Sequence, residues 1–364
     1  MKKLALLVVV LLLVVAALPL AYLVPVLLVR RPTPDPFQQA TPDQPVSLPA
    51  DKGAHFDAQT EWWYYTGHLL TGDGTRYGFE LVFFKTYLPG DHAKIGPIPL
   101  NALVNPLFPA HFAITDEARG RFQHVYQANF PFPWDGGAAE CHQRVWVNGW
   151  LAEAKNERHH LVASMDGYAI DLDLSAAKPP VLHGENGVVD MGGTRGGSYY
   201  YSYTDLRGAG TLTVDGVAQP VQATAWMDHQ WGSWDWGAFQ GWDWFSLRLD
   251  DGTQVMFSGL RDANQQVMER HQGGSVVGPD GTATPLGPGD FAVEVLERWQ
   301  SPHTGASYPV RWRVRIPAHG LDVTITPVLL GQEVVSGSLP DYWEGSCTVA
   351  GTHTGLCYVE VTGY

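Results

Sequence analysis

Asp-Gly and Asn-Gly pairs, set between runs of aromatic and β-branched residues, restrict the fold of this chain more than any other feature of its sequence. Such pairs fit the two-residue turns of β-hairpins, which favour residues that tolerate a positive φ. No amphipathic helix of convincing length follows residue 50. The chain is therefore predicted to be all-β, with short strands that favour barrels or sandwiches. Five pairs for which a hairpin turn is predicted are Asp73-Gly74, Asn148-Gly149, Asp215-Gly216, Asp251-Gly252 and Asp280-Gly281.

The surroundings of two of these turns are alike. Asp73-Gly74-Thr75 and Asp251-Gly252-Thr253 each follow an aromatic-rich strand and precede an apolar one. This repeated pattern predicts two copies of one β unit, and 364 residues leave room for two domains of ordinary size. We expect the first domain to span residues 51–225 and the second to span residues 226–364.

The amino terminus carries a separate signal. The run from Leu4 to Val29 is apolar throughout and is long enough to cross a bilayer as a helix. A cleaved signal peptide is the alternative, but the run exceeds an ordinary signal core and lacks a small-x-small cleavage site, which favours an uncleaved anchor over residues 1–31. The proline-rich residues 32–50 predict an extended spacer. We expect the β domains on the extracytoplasmic side of a cell membrane.

The net charge and the absence of known motifs exclude several classes of partner and of chemistry. A formal net charge of −14 makes nucleic acid and anionic membrane surfaces poor partners. The sequence has no nucleophile elbow, phosphate-binding loop, dinucleotide fingerprint or clustered Cys/His spacing, so neither a cofactor nor a metal is predicted.

Two of the three cysteines flank a turn-like segment at residues 351–355. In an oxidising compartment Cys347 and Cys357 could form a disulfide across this hairpin. Free buried thiols are the alternative. Cys141 has no partner in either case.

The densest group of aromatic and ionisable residues lies at 226–252 and holds six of the fourteen tryptophans. Because side chains alternate between the faces of an extended segment, His229 and Trp231 share one face and Asp228 lies on the other. Asp243 heads an otherwise apolar row. A carboxylic acid and an imidazole among large rings suit carbocation chemistry, since burial raises a carboxyl pKa and ring faces stabilise positive charge. These four residues are the candidate catalytic residues.

Further aromatic and polar residues share strand faces that would line a ligand cavity. For each of them, and for the catalytic candidates, an ordinary β core with hydrogen-bonded polar ends is the alternative. Together they predict an aromatic-lined interior. The candidate ligand-binding residues are Glu61, Trp63, Tyr65, Tyr201, Trp242, Trp244 and Phe245.

Several stretches, taken in order, resemble the family of carotenoid 1,2-hydratases (hydroxyneurosporene synthases) and AttH-like proteins. The resemblance covers residues 55–364 and implies two lipocalin-like β-barrel or sandwich domains around an apolar cavity, here preceded by a single transmembrane helix. It also implies an elongated polyene, isoprenoid or lipid ligand and an envelope role, with an ABC transporter as a partner. The stretches are HFDAQTEWWYYTGHL, YYYSYTDLRGAGTLTVDG, WMDHQWGSWDW, GWDWFSLRLDDG, DYWEG and CYVEVTGY.

The resemblance also carries over part of an active site. In the hydratase branch, a His and a Trp two residues later, with a Tyr and an Asp on the next strand, hydrate a terminal carbon–carbon double bond. His229 and Trp231 match the first pair, whereas the following strand at residues 254–258 has neither Tyr nor Asp. The resemblance then implies that Asp243 or Asp228 supplies the proton.

Three functions follow from these observations. A membrane-anchored protein that binds a hydrophobic ligand is favoured. The aromatic strand faces that would line a cavity are present, whereas the strand at residues 254–258 lacks the Tyr and Asp of the hydratase branch. A hydro-lyase acting on an acyclic carotenoid or isoprenoid is the second interpretation. A purely structural interaction module is the third.

Overall fold

The computed structural model describes residue 31 and residues 33–88, 105–129, 133–192, 196–335 and 341–364, together with the backbone of two short strands at 94–95 and 98–99. The predicted anchor from Leu4 to Val29 lies outside these residues. Within them, no helix has the length and apolar character needed to cross a membrane. Their helical elements are the single 3-10 turns Ala50–Lys52, Pro133–Asp135, Trp236–Ala238 and Pro317–His319.

The strands up to residue 234 form a curled antiparallel sheet, which we call the first barrel. Its strands in chain order, with the separate hairpin β3–β4 included, are β1 (Thr60–Thr71), β2 (Arg76–Thr86), β3 (Lys94–Ile95), β4 (Ile98–Pro99), β5 (Pro109–Asp116), β6 (Arg121–Ala128), β7 (Gly136–Ala138), β8 (Arg144–Val147), β9 (Trp150–Lys155), β10 (Arg158–Met165), β11 (Tyr168–Ala176), β12 (Val181–Leu182), β13 (Val188–Asp190), β14 (Gly196–Val214) and β15 (Val217–Trp234). The order within the sheet is β6-β5-β2-β1-β15-β14-β11-β10-β9-β8-β7, and β12 and β13 pair with β14.

The remaining strands form a second curled antiparallel sheet, the second barrel. They are β16 (Gly241–Leu249), β17 (Gln254–Arg261), β18 (Val267–Val277), β19 (Ala283–Leu286), β20 (Ala292–Gln300), β21 (Ser307–Ile316), β22 (Leu321–Pro327), β23 (Glu333–Val334), β24 (Tyr342–Gly351) and β25 (Gly355–Thr362). The order is β19-β18-β17-β16-β25-β24-β22-β21-β20, and β23 pairs with β24. The prediction of an all-β protein built from two lipocalin-like units is confirmed.

Each of the five predicted turns closes a hairpin. They join β1 to β2, β8 to β9, β14 to β15, β16 to β17 and β18 to β19. The second residue of every pair is a glycine with φ between 82° and 90°. A side chain at that φ would be strained, which is why glycine occupies these positions.

The change from one sheet to the other falls between Trp234 and Gly241, and not at residue 226 as predicted. Strand β15 is continuous as far as Trp234 and pairs with both β1 and β14. The tryptophan-rich stretch is therefore divided, with its first part in the first barrel and its second part in the second.

Part of the predicted spacer over residues 32–50 packs on the first barrel. Val46 is buried in the core of the first barrel, and its N–H donates to the carbonyl of Asn186 at 3.1 Å. The N–H of Thr41 donates to the hydroxyl of Tyr199. The prolines keep this segment out of the sheets, but its apolar side chains still pack on the barrel.

The two faces of the first sheet have different neighbours. Met227 and Trp231 point into the first barrel, whereas Trp226 points outward and packs with Trp244 and Tyr358 of the second barrel. This period-two division of the tryptophan-rich stretch was predicted from the sequence and is confirmed. The second barrel is therefore held against the outer face of the strands that carry the candidate site.

Candidate active site in the first barrel

Glu61 lies at the centre of a buried polar cluster inside the first barrel. Its Oε1 atom lies 2.8 Å from Nε2 of His229 and 2.9 Å from Nδ1 of His55. Its Oε2 atom lies 3.2 Å from Nζ of Lys85. The side chains of Glu61, His229 and Lys85 are fully buried, and that of His55 is 17% exposed. One carboxylate thus meets two imidazoles and one ammonium group.

Strand register explains how most of this cluster forms. Glu61 on β1 lies opposite Lys85 on β2 and opposite Trp231 on β15. His229 on β15 lies opposite Tyr201 on β14. Because directly opposed residues of antiparallel strands point to the same face, all of these side chains enter the barrel together.

His55 reaches the cluster from the segment that precedes β1. Its N–H donates to Oε2 of Glu61 at 2.9 Å, and its carbonyl accepts a hydrogen bond from Lys85. Its ring stacks on Trp231 with centroids 3.9 Å apart and planes 1° apart. Nε2 of His55 lies 3.6 Å from Oδ1 of Asp51. Both nitrogens of His55 therefore face carboxylates.

Aromatic rings enclose the polar cluster. The ring of His229 lies 5.0 Å from Trp63, 4.7 Å from Trp231 and 5.2 Å from Tyr201, measured between centroids. Trp63 and Tyr201 are fully buried. A cluster of charges in such a water-poor interior interacts more strongly than it would in solvent.

Three members of the cluster form a hydrogen-bonded relay. A carboxylate only accepts, so Nε2–H of His229 donates to Glu61 and leaves Nδ1 as an acceptor. The hydroxyl of Tyr201 lies 3.1 Å from Nδ1 and donates to it. The order hydroxyl, imidazole, carboxylate is the one used by Ser-His-Asp triads, where the carboxylate orients the imidazole and stabilises its protonated form.

Burial and neighbouring charges give His229 and His55 different protonation states. Burial lowers the pKa of His229 to about 4 despite its bond to Glu61, so this ring is neutral at pH 7. Burial also disfavours the charge on His55, but Glu61 and Asp51 outweigh it and raise its pKa to about 9. Burial would raise the pKa of Glu61, yet Lys85 and His55 hold it well below its usual value. The cluster thus contains an acid and a base.

The atoms of His55, Glu61 and His229 could also hold a metal ion, since one ligand atom from each lies within 4.8 Å of the others. Imidazole nitrogen and carboxylate oxygen are zinc ligands. The sequence predicted no metal, because these residues lack the spacing of a known motif. Lys85 already compensates the charge of Glu61.

Asp228 and Asp243, the predicted acids, are not brought to this cluster. Asp228 lies on the outer face of β15, as predicted, and accepts hydrogen bonds from Nε1 of Trp226 at 2.6 Å and the hydroxyl of Tyr200 at 2.8 Å. Burial raises its pKa to about 7. Asp243 lies in the second barrel, because β16 belongs to the other sheet, and its Oδ1 is 3.0 Å from Nε of Arg261.

The predicted ligand-binding residues also divide between the barrels. Glu61, Trp63, Tyr65 and Tyr201 lie together in the first barrel, where the hydroxyl of Tyr65 is 2.9 Å from Nδ1 of His159. The other three do not reach them. Trp244 donates to the hydroxyl of Tyr200 between the barrels, Trp242 donates to Glu360, and Phe245 stacks on Phe257 in the core of the second barrel.

His229 and Trp231, around which a cavity was predicted, are both buried. Two cavities within the described residues lie elsewhere. One of about 20 Å³ is lined by Trp226 and Tyr358 between the barrels, and one of about 280 Å³ lies at an end of the second barrel.

The interface between the barrels contains a second polar cluster. Tyr342 donates to Oε1 of Glu80 at 2.9 Å, Tyr64 donates to Glu344, and Glu344 lies opposite Glu360 in the register of β24 and β25. Among the described residues, no Lys or Arg forms an ion pair with these three glutamates. Burial raises the pKa of Glu80 to about 7 and that of Glu360 to about 8, and it raises the pKa of Glu344 well above its usual value.

The two cysteines lie opposite each other in the register of β24 and β25. Cys347 and Cys357 are buried free thiols in the core of the second barrel. Burial raises the pKa of both thiols well above the usual value. Of the two interpretations of the sequence, the structure therefore has the free buried thiols. The two residues are directly opposed on neighbouring strands.

Sequence reasoning missed His55 and Lys85 as members of the site. His55 precedes the first strand, so no periodicity places its side chain, although it begins one of the stretches that carry the family resemblance. Lys85 left a clearer signal, since it is a cation that directly follows the apolar residues 81–84 of strand β2. A buried lysine needs a carboxylate partner, and Glu61 is opposite on the next strand.

Comparison with known proteins agrees with this architecture. A solved structure of a Nitrosomonas europaea protein assigned as an AttH is 30% identical, with a TM-score of 0.79 over 90% of this chain and all of that one. The structure of kievitone hydratase from Nectria haematococca shares the fold at 16% identity, with a TM-score of 0.65 over 90% of this chain and 95% of that one.

The sequence is also similar to the dehydratase asqC of Emericella nidulans. The two are 24% identical over 217 residues, which is 53% of this chain and 56% of that protein. The chain thus spans little more than half the length of this relative. The model of the AttH-like family matches residues 39–364, which include both barrels and every residue of the buried cluster. The chain therefore belongs to the AttH-like family.

Proposed function

We propose that the protein is a hydro-lyase that removes water from, or adds water to, a hydrophobic substrate inside the first barrel. The observation that carries this proposal is that Oε1 of Glu61 lies 2.8 Å from His229 and 2.9 Å from His55, so that one carboxylate orients two imidazoles. One ring is neutral and the other is protonated at pH 7. An acid and a base that act at the same pH need this difference in protonation state.

Dehydration would use both histidines. The hydroxyl oxygen of Tyr201 takes a proton from a substrate carbon while its own proton moves to Nδ1 of His229, and Glu61 stabilises the resulting imidazolium. His55 gives its proton to the departing hydroxyl group, which leaves as water while a carbon–carbon double bond forms. Hydration is the same path in reverse. The ring face of Trp231 would stabilise positive charge on the substrate.

Substrate entry would use the segment around His55. This segment lies outside both sheets, from the 3-10 turn Ala50–Lys52 to the start of β1, and it carries the partly exposed member of the cluster. A substrate would reach the cluster past this partly exposed ring, while His55 stays bonded to Glu61. The similarity to a dehydratase supports water removal or addition as the class of chemistry.

The test incubates purified protein with lycopene, an acyclic carotenoid, in water enriched in oxygen-18, and follows labelled hydroxyl groups by mass spectrometry. Loss of general acid–base catalysis typically reduces a rate by roughly 10²–10⁴-fold. We expect a reduction of that size for His229→Gln, His55→Gln and Tyr201→Phe. His160→Gln is the matched control, because His160 belongs to the same barrel but pairs with Asp171 at the surface.

Two further variants separate this site from the acids predicted from the sequence. Asp228→Asn and Asp243→Asn should keep most of the activity, since neither side chain belongs to the cluster. An active His55→Gln/His229→Gln double variant would refute the proposal. Activity that disappears with a chelator and returns with zinc would assign the cluster to a metal instead.

A second candidate function is binding of an isoprenoid, carotenoid or lipid by a membrane-anchored protein without chemistry. The strand at residues 254–258 favours it, because it lacks the Tyr and Asp of the hydratase branch. Lycopene that quenches tryptophan fluorescence but yields no product with the wild-type protein would support this function. The extracytoplasmic location and an ABC transporter as a partner remain proposals that rest on the sequence.

A further inference from the structure

The second barrel contains a cavity of about 280 Å³ at the end where two of its Asp-Gly hairpins lie. Protein interiors are close-packed, and voids larger than a water molecule are few. A cavity of about 150 Å³ already holds a benzene molecule. The cavity in the second barrel therefore has room for a ligand of about two aromatic rings.

The floor of the cavity is apolar. It is formed by Leu249, Val255, Val276 and Leu321, which come from four different strands and belong to the core of the second barrel. These side chains are nearly fully buried. An apolar body would be stabilised here by its removal from water.

The mouth of the cavity is polar and acidic. It carries Asp251, Asp280, His319 and His353, and no Lys or Arg is among the described residues that line the cavity. Nε2 of His353 lies 3.8 Å from Oδ2 of Asp251. Two carboxylates at the entrance to an apolar pocket favour a ligand whose polar end is a cation and a hydrogen-bond donor.

Both hairpins at the mouth are held in place. The side chain of Asp251 accepts the N–H of Thr253 at 2.8 Å, and Lys178 from the first barrel donates to the carbonyls of Gly252 at 2.7 Å and Gly278 at 2.6 Å. A mouth that is already ordered loses little conformational entropy when a ligand binds.

We propose that this cavity is a binding site for a small amphiphilic amine, which places its apolar body on the floor and its ammonium group between Asp251 and Asp280. The site is separate from the cluster in the first barrel. It does not depend on the proposed hydro-lyase activity.

Calorimetry with three naphthalene compounds tests the proposal, because they share one ring system and differ in the polar group. We expect 1-naphthylmethylamine to bind about tenfold more tightly than 1-naphthylmethanol, as expected when a charge-assisted hydrogen bond replaces a neutral one. The carboxylate 1-naphthoate should bind more weakly than the alcohol. Equal affinities for amine and alcohol, or no saturable binding of the amine, would overturn the proposal.

Variants locate the site. Asp251→Asn/Asp280→Asn keeps a side-chain oxygen that can cap each turn and removes both charges, so it should weaken amine binding about tenfold and leave alcohol binding nearly unchanged. Thr284→Trp should block the mouth and abolish binding of both compounds.

The control for diffuse attraction of an amine to an acidic protein is Asp73→Asn. Asp73 caps the same Asp-Gly-Thr turn in the first barrel, where it accepts the N–H of Thr75 at 3.0 Å. This variant should bind the amine as the wild-type protein does. An equal loss of affinity in Asp73→Asn, or amine binding that survives Thr284→Trp, would show that the amine does not occupy this cavity.

Discussion

Nε2 of His229 lies 2.8 Å from Oε1 of Glu61, although 168 residues separate the two side chains in sequence. The contact exists because β15 lies beside β1 and pairs with it from Thr60 to Thr71. It brings an imidazole to a carboxylate that is already paired with Lys85. The charge balance of the whole cluster therefore depends on one long-range strand pairing.

Loss of the Glu61 charge should destabilise the protein. Glu61→Gln leaves the ammonium group of Lys85 buried without a counter-ion, and breaking a buried pair in this way typically costs about 3–5 kcal/mol. Lys85→Met leaves Glu61 without its main counter-ion and should also destabilise. In urea unfolding, the double variant should lose less than the sum of the two single losses, because it buries neither lone charge. Strictly additive losses would show that the pair is not coupled.

The two histidines should titrate far apart in nuclear magnetic resonance spectra. His55 should keep its extra proton up to a pKa of about 9, whereas His229 should stay neutral down to about 4. Asp51→Asn should lower the pKa of His55, since Asp51 favours its charged form. Similar values for both rings near their ordinary pKa would contradict the acid and base roles.

The interface glutamates should make the protein less stable as the pH rises. The pKa of Glu80 is raised from 4.5 to about 7 and that of Glu360 to about 8, so the unfolded chain loses these protons first. Their contribution is fully present below about pH 4.5 and is lost as the pH rises through about 8.

For Glu80 alone the loss is on the order of 3 kcal/mol. Glu80→Gln should remove about that much of the pH dependence between pH 5 and 8, measured as free energy of unfolding. Glu153→Gln is a surface control in the same barrel, where Glu153 lies 3.1 Å from Lys155. A Glu80→Gln curve parallel to the wild-type curve would mean that Glu80 is already ionised in the folded protein.

Thiol labelling should distinguish the states of the cysteines. In the native protein without reductant, only the exposed Cys141 should react, because Cys347 and Cys357 are buried and their pKa values are raised. After denaturation three thiols should react. A count of one under both conditions would instead show a disulfide across the β24–β25 hairpin.

The strand faces and the turns follow from local rules, and for that reason they could be predicted from the sequence. An extended chain alternates its side chains, so the sequence alone separated His229 and Trp231 from Asp228. An Asp-Gly pair closes a tight turn wherever it lies between two strands. The apolar, aromatic interior followed in the same way from the residues that share one face.

Tertiary structure decided which of these faces meet. Asp243 was predicted to be the acid that acts with His229, but the two residues belong to different sheets. The sequence of a single strand does not determine which sheet the strand joins. His55 reaches the site from a loop, and Lys85 is placed there by strand register. Alternation is a property of each strand by itself, whereas the partners of Glu61 depend on strand pairing between distant segments, which only the packing of the whole chain determines.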